Sequence, residues 1–350
     1  MQARAFPLAI AALLFVFSPR GDAFPVSEPK VQRLSERAEI IVKATVSQVT
    51  ELGEGKNSLS SDPAARSLFF EAQLQPLYAL KGTVPNAPIK VSFERGIDCL
   101  PVEYLVKGAT YLVFLKASGG GYALADSVKS KIMADPTCPA VQPQGATTED
   151  CLRAELLGEI QSRDAAVVAD ALAALGDLGF SRDDVALIAP FVNSPDKTLA
   201  GCALATLLKS GYFEYLDAAV AYMGTYPKTN SKEFGWASKI GVVVRKITDP
   251  GVAARLIGAM DSPNLLVRQS AAYVLRQAKV RAAVPLFVKG LQDADFDVRY
   301  HCLLGLAETI EGKLNGDWAC TTEFFAKDEN KYIRVWQEWW ENEGKKQDWQ

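Results

Sequence analysis

The chain has 350 residues, of which 49% are hydrophobic and 23% are charged, an ordinary globular composition with room for about two domains. Its formal net charge is −3. This mild balance argues against a general nucleic-acid-binding surface, which needs a strongly basic domain.

The first 23 residues have the features of a secretory signal peptide. A short basic start with Arg4 precedes an apolar run over 5–17 that is too short to span a bilayer. The small residues Gly21 and Ala23 precede a cleavage position ahead of Phe24. We therefore predict an exported protein, periplasmic or secreted, with 36 basic and 40 acidic residues and no later membrane span. The alternative is an uncleaved N-terminal anchor.

Residues 24–142 predict a β-rich domain. Apolar and β-branched residues dominate 38–49, 67–78, 88–93 and 110–115, and the turn at Gly119-Gly120-Gly121 leads into a short strand at 122–124. About five short strands with turns between them are typical of a small barrel or sandwich.

The segments of this β-rich domain follow a recognisable order, namely AEIIVKATVSQV, LYALKG, a strand, Cys99 and VKGATYLVFL. This order resembles the netrin-type, TIMP-like module over residues 38–115. The resemblance implies an OB-like β-barrel that Cys99 helps to hold. TIMP-type inhibitors place a CxC cysteine on a protease metal, and this chain has no CxC, so inhibition is not carried over. We expect a structural barrel, with ligand binding as the alternative.

A proline-rich segment separates the two predicted domains, and we place the linker at 143–148. Beyond it, a Ser-Pro turn occurs at 194–195 and again 68 residues later. Each turn precedes apolar residues at steps of four, which are Leu199, Ala203 and Leu207 in the first copy and Val267, Ala271 and Leu275 in the second. Helix starts separated by 31 to 36 residues predict a stacked α-solenoid over 149–345.

The solenoid pattern, Asp followed by Val-Arg, Ala and Leu, resembles the HEAT-repeat family. That resemblance implies a ladder of Asp–Arg bonds between repeats, formed by Asp261, Arg268, Asp293, Asp297 and Arg299. The unit at 233–245 departs from the pattern, and we expect a functional loop in its connection at 226–231. The final helix is predicted to cap the solenoid with Tyr332, Trp336, Trp339 and Trp340, an aromatic partner site being the alternative.

Six cysteines follow the export signal, and an even count there permits three disulfides. Nearness along the chain favours the pairings Cys99–Cys138, Cys302–Cys320 and, as the remainder, Cys151–Cys202. A buried free thiol is an equal alternative at Cys202.

The sequence contains little that indicates chemistry. His301 is the sole histidine and precedes Cys302, and adjacent helical side chains cannot converge on one site. No nucleophile motif, phosphate loop or zinc spacing is present, so we predict no cofactor, metal or catalytic site. A basic group of Arg245, Lys246, Arg276, Lys279 and Arg281 is interpreted as a solvated face.

The sequence favours a multidomain β + α protein in which a small barrel precedes a HEAT-like solenoid. We expect a non-catalytic scaffold that binds protein partners, and not nucleic acid, through the solenoid surface. The alternative is an enzyme, or a protease-inhibitor-like protein, that works from the β-domain.

Overall fold

The computed structural model describes residues 30–57, 65–84, 87–96, 104–126, 130–139, 146–226, 235–310 and 318–349. The predicted signal peptide, Cys99, residues 143–145 of the predicted linker and residues 227–231 of the predicted functional loop lie outside the described residues. The N-terminal half contains a mixed sheet, and the C-terminal half is helical.

The N-terminal half begins with a short helix and continues as six strands. The elements are α1 (Val31–Arg37), β1 (Ile40–Lys56), β2 (Arg66–Lys81), β3 (Ile89–Gly96), β4 (Thr110–Ser118), β5 (Gly121–Leu124) and β6 (Lys131–Met133). The predicted strands correspond to β1–β5. Helix α1 and strand β6 were not predicted, because each is short, and α1 has only two buried apolar side chains, Val31 and Leu34.

The strand pairings form a closed circuit. β1 pairs with β2, β2 with β3, β3 in parallel with β5, β5 with β4, and β4 with β1, while β6 adds to β4. A glycine, Gly53, has a φ of 113° at one of the register shifts of the long β1–β2 ladder, a backbone conformation that suits a residue without a side chain.

The first parts of β1 and β4, residues 40–44 and 110–115, are buried on both faces. Alternate residues of β1, such as Ile40 and Val42, belong to a core cluster within the sheet. Ile41 and Phe114, on the opposite face, pack in a second cluster with α1 and the first helices of the C-terminal half. Because side chains alternate along a strand, Lys43 also faces the helices.

The helical half contains, in chain order, α2 (Thr148–Glu159), α3 (Ala165–Leu178), α4 (Val185–Ile188), α5 (Lys197–Lys209), α6 (Leu216–Gly224), α7 (Trp236–Val244), α8 (Pro250–Ala254), α9 (Leu265–Gln277), α10 (Val284–Gly290), α11 (Phe296–Thr309), α12 (Thr322–Lys327) and α13 (Glu329–Asn342). A short 3-10 turn, Ala189–Asn193, extends α4, and another, Ile257–Asp261, follows α8. Helices α3, α5, α7, α9 and α11 contact one another in that order.

Equivalent positions of successive helix pairs meet across a sequence interval of 32 residues. Nζ of Lys209 donates to Oδ1 of Asp177 at 2.9 Å. The ring of Tyr212 stacks on that of Phe180 with centroids 5.3 Å apart, and its hydroxyl donates to the Phe180 carbonyl. The interval predicted from the sequence therefore brings matching positions of neighbouring units into contact.

The two Ser-Pro turns form the same helix start. In each turn, the serine hydroxyl accepts a hydrogen bond from the backbone N–H two residues later, at 3.2 Å. That later residue, Asp196 or Asn264, is the N-cap of α5 or α9 and accepts from the first turn of the helix. These side chains satisfy N–H groups that lack partners inside the helix.

The last helix closes the end of the core. Trp336 is fully buried, and its indole N–H donates to the Trp318 carbonyl at 2.8 Å. Trp339 is also buried, and Trp349 folds back against it with ring centroids 6.0 Å apart. These side chains cover apolar surface, as a terminal cap requires.

A buried charged cluster joins the two halves. Nζ of Lys43 donates to Oε1 of Glu155 at 3.0 Å and to the Cys138 carbonyl at 3.2 Å, and it lies 2.6 Å from Oε1 of Glu159. Tyr78, opposite Lys43 on β2, donates to Oε1 of Glu155 at 2.5 Å. The side chains of Lys43, Glu155 and Glu159 are at most 1% exposed, so these ions contact each other instead of water.

The cluster holds two carboxylates for one ammonium group. Burial raises the pKa of Glu159, although Lys43 and the backbone N–H of Asp135 oppose the shift. Burial lowers the pKa of Lys43, but the hydrogen bonds and charges of Glu159 and Glu155 outweigh it and raise the pKa overall. The folded chain therefore binds protons at Glu159 and Lys43 more strongly than the unfolded chain.

Replacing Lys43 with Met is expected to lower the free energy of unfolding by about 3–5 kcal/mol, because two buried carboxylates lose their counter-charge. Adding Glu159→Gln should recover part of this loss by removing one unpaired carboxylate. Urea unfolding of the single and double variants measures both effects. Lys90→Met is the matched control, since Lys90 is 64% exposed, and it should change stability by less than about 0.5 kcal/mol.

The pH dependence of the same proteins tests the sign of the effect at Glu159. The contribution of Glu159 to the free energy of unfolding is complete below the ordinary glutamate pKa of 4.5. It is lost as the pH rises through the higher pKa of Glu159 in the folded chain. This loss should be absent from a Glu159→Gln variant. The account of the cluster would be contradicted if the effects of Lys43→Met and Glu159→Gln on stability were additive. It would also be contradicted if the stabilisation by Glu159 in the wild-type chain increased with pH.

Candidate functional site

The predicted ladder residues occupy three different settings. The guanidinium of Arg268 donates to both carboxylate oxygens of Asp293 in the next unit, at 2.8 and 3.1 Å. Arg299 instead pairs with Glu329, at 2.7 Å. The structure thus brings together Arg268 and Asp293, whereas the partner of Arg299 is a residue that the pattern does not contain.

The other two ladder aspartates have no arginine partner among the described residues. Asp261 forms an exposed pair with Lys289, whose Nζ lies 2.6 Å from Oδ1. Asp297 accepts one long hydrogen bond, 3.4 Å, from Nε2 of Gln269. Both aspartates are exposed, which leaves them outside the packed interface that holds Arg268 and Asp293.

The five described cysteines are free thiols, namely Cys138, Cys151, Cys202, Cys302 and Cys320. The predicted pairings Cys151–Cys202 and Cys302–Cys320 are therefore not formed. Cys202 and Cys302 are fully buried in the apolar faces of α5 and α11, where they serve as small core residues. Burial raises the pKa of Cys202 to about 12 and also raises that of Cys302.

The buried cluster around Lys43 contains side chains with catalytic potential, but no substrate can reach them. Lys43 and Glu159 are 0% exposed, and Glu155 is 1% exposed. Burial also raises the pKa of Tyr78, with the hydrogen bond to Glu155 acting in the same direction. We therefore assign this cluster a structural role.

A row of half-buried polar and aromatic side chains crosses α7, α9 and α11. We call it the Arg245–His301 strip, and its members are Arg245, Tyr273, Arg276, His301 and Glu308. The guanidinium carbon of Arg245 lies 5.8 Å from the centroid of the Tyr273 ring. The imidazole of His301 meets the same ring edge to face, with centroids 5.2 Å apart. Arg276 follows, bound to both His301 and Glu308.

The hydrogen bond to Arg276 fixes the state of His301. Nη1 of Arg276 lies 3.3 Å from Nδ1 of His301. Because a guanidinium has only donors, Nδ1 accepts, and the proton of the neutral ring is on Nε2. Burial lowers the pKa of His301 to about 3, and the charges of Arg276 and Arg245 add to the effect. His301 is therefore a neutral donor through Nε2.

Sequence reasoning identified parts of this strip but not the whole. Arg245 and Arg276 were predicted to be solvated, yet both are half-buried. Arg281 belongs elsewhere, over the Trp349 ring at 5.3 Å. Tyr273 was missed, although its helical spacing of three from Arg276 is a usable signal. His301 and Cys302 point apart, as predicted, with the thiol in the core.

Two surface cavities lie near the strip's helices. One, of about 580 Å³, is lined by apolar residues such as Val220 and Leu256 and by the ion pair of Asp217 with Arg255. The other, of about 650 Å³, lies between the turn before α11 and α13 and includes Arg299 and Glu329. Each cavity contains one ion pair between lining residues, Asp217 with Arg255 in the first and Arg299 with Glu329 in the second.

The described residues contain no group of three or more His, Cys, Asp or Glu residues placed to hold a metal. None of their helices has both the length and the apolar character needed to cross a membrane.

Comparison with known proteins gives only distant structural likenesses. No family model and no curated protein matches the chain. A crystal structure of an engineered protein is 18% identical, with a TM-score of 0.31, over 46% of this chain and 79% of that protein. Human deoxyhypusine hydroxylase in complex with glycerol is 17% identical, with a TM-score of 0.22, over 56% of this chain and 78% of that protein. Both TM-scores are too low to support an argument.

Replacing Arg268 with Ala is expected to lower the free energy of unfolding by about 1.5–3 kcal/mol, because Asp293 loses a charge-assisted, two-oxygen bond. Arg268 and Asp293 are 18% and 13% exposed. Lys289→Ala is the control, since its pair with Asp261 is 67% and 56% exposed and should contribute at most about 1 kcal/mol. Equal losses in urea unfolding would show that the Arg268 bond has no special role between units.

Proposed function

We propose that this chain is a protein-binding scaffold and that the Arg245–His301 strip contacts its partner. The observation that carries the proposal is a contiguous row of Arg, Tyr and His side chains across the adjacent helices α7, α9 and α11. Tyr and Arg are enriched among the residues that dominate binding energy at protein interfaces. Held between helices, these side chains also lose little conformational freedom on binding.

The helical half fits a HEAT-like α-solenoid in this proposal. Support comes from the contacts between equivalent positions 32 residues apart and from the buried small residues Ala203, Ala237 and Ala271 of neighbouring helices. Stacked units of this kind offer extended surfaces to partners.

The β-rich half is proposed to be an OB-like barrel with a supporting role. Its closed circuit of strand pairings supports the barrel. The outer faces of β1 and β4 pack against the helices, which makes the half a support for the helical stack. Export, with cleavage near Phe24, is part of the proposal, and an intact Met1 on the mature protein would contradict it.

Site-specific photo-crosslinking tests where the partner binds. A benzophenone side chain is placed in the full chain at Tyr273 in the strip, at Leu187 on α4, or at Leu52 in the β-rich half, the last two being 43% and 62% exposed. In the cells that produce the protein, we expect a discrete adduct from position 273 and none from position 187.

Position 52 tests the alternative in which the β-rich half acts by itself. An adduct only from position 52 would contradict the scaffold proposal and favour an enzyme or inhibitor in that half. Equal adducts from all three positions would show that the strip is not a specific site.

A further inference from the structure

Arg245 is a half-buried arginine that forms no ion pair or hydrogen bond with a carboxylate of the described residues. It directly follows α7, and its Nε is buried without a hydrogen-bond partner. The half-buried arginines Arg268, Arg276 and Arg299 each bind a carboxylate. Because removing a charge from water without a counter-charge is unfavourable, the unmatched guanidinium of Arg245 points to a ligand.

The groups beside Arg245 are also donors. The Tyr273 ring lies between Arg245 and His301, and no described residue bonds its hydroxyl. His301 carries its proton on Nε2, since Nδ1 accepts from Arg276. Arg276 is already committed, because its other nitrogens bind Glu308 at 2.7 and 3.0 Å. The strip thus has a surplus of donors and needs an acceptor.

The charge of the strip sets the charge of that acceptor. Among the five strip residues, Arg276 and Glu308 neutralise each other and His301 is neutral, so Arg245 carries the one unpaired positive charge. Asp297 is near enough to interact electrostatically with Arg245, and it disfavours a dianion such as a phosphate. A single carboxylate complements this arrangement.

We propose that the Arg245–His301 strip binds an Asp or Glu side chain of the partner protein, with Arg245 supplying the charge and Tyr273 and His301 the further donors. This inference rests on the proposed function of the strip as a partner site. Capture of a C-terminal carboxylate commonly uses free backbone N–H groups, whereas Tyr273 and His301 lie inside helices. The side chain of Val242, 57% exposed and one turn before Arg245, offers apolar contact beside the carboxylate.

Binding of three peptides to the full chain tests the inference by fluorescence anisotropy. The first probe is an acetylated, amidated nine-residue peptide with Glu at alternate positions, and the second is its Gln counterpart. The third is the Gln peptide with a free C-terminal carboxylate. We expect the Glu peptide to bind at least about tenfold more tightly than the other two, and more weakly at high salt.

Substitutions in the strip separate recognition from folding. Arg245→Gln should weaken binding of the Glu peptide about tenfold or more, and Tyr273→Phe, which removes only a hydroxyl, about threefold. Arg281→Gln is the matched control, because Arg281 is exposed and packs on Trp349, and it should leave binding unchanged. If the Arg245→Gln variant does not fold, the effect of Tyr273→Phe on binding of the Glu peptide decides whether the strip recognises the carboxylate.

Equal binding of the Glu and Gln peptides, tighter binding of the free C-terminal peptide, or no effect of Tyr273→Phe would overturn the inference. If no peptide binds while the crosslinker at position 273 still forms an adduct with one partner, the inference of carboxylate recognition is wrong and the scaffold function stands. If no peptide binds and no adduct forms, the strip is not a binding site.

Discussion

The architecture depends on one buried ammonium group. Lys43 extends from the sheet into the helical half and meets Glu155 and Glu159 there. An unpaired charge at this position is very unfavourable, so the sheet and α2 keep one relative position. Apolar packing around the cluster, from Ile41 and Phe114 to Leu152 and Leu156, contributes most of the burial. The ion pairs fix the orientation of α2 on the sheet, because hydrophobic contact alone is non-directional.

This junction affects the helical surface far from it. Each helix pair packs on its predecessor, so a fixed α2 gives α3 and α5 a fixed base. In the third unit, Trp236 of α7 packs so closely on Gly201 of α5 that a side chain at position 201 would collide with it. Arg245 directly follows the same helix, α7. The unit that the sequence pattern marked as degenerate thus contributes the unpaired arginine of the strip.

Local patterns predicted most elements, and non-local contacts explain what they missed. The bounds of α7 and the positions of the five strands follow from apolar periodicity, which is a property of neighbouring residues, although β1 continues beyond the predicted 38–49 to Lys56. The carboxylate partners of Lys43 lie 112 or more residues away, so a lysine within a β-branched run gave no local sign of its role. The predicted pairings Cys151–Cys202 and Cys302–Cys320 were wrong for the same reason, since an even count carries no information on distance, whereas the alternative of a buried free thiol at Cys202 agrees with the structure. At the strip, His301 and Arg245 were noticed separately, but only the packing of α7, α9 and α11 places Tyr273 between them.

His301 reports most directly on the proposed binding of a partner's carboxylate by the strip. As the sole histidine, it gives one unambiguous pair of imidazole ¹⁵N signals in a tag-free chain. We predict a neutral ring with the proton on Nε2 throughout pH 5–8, and a change in the Nε2 signal when the acidic peptide is added. A ring that titrates near the ordinary histidine pKa of about 6.5, carries its proton on Nδ1, or does not respond to the peptide would contradict the account.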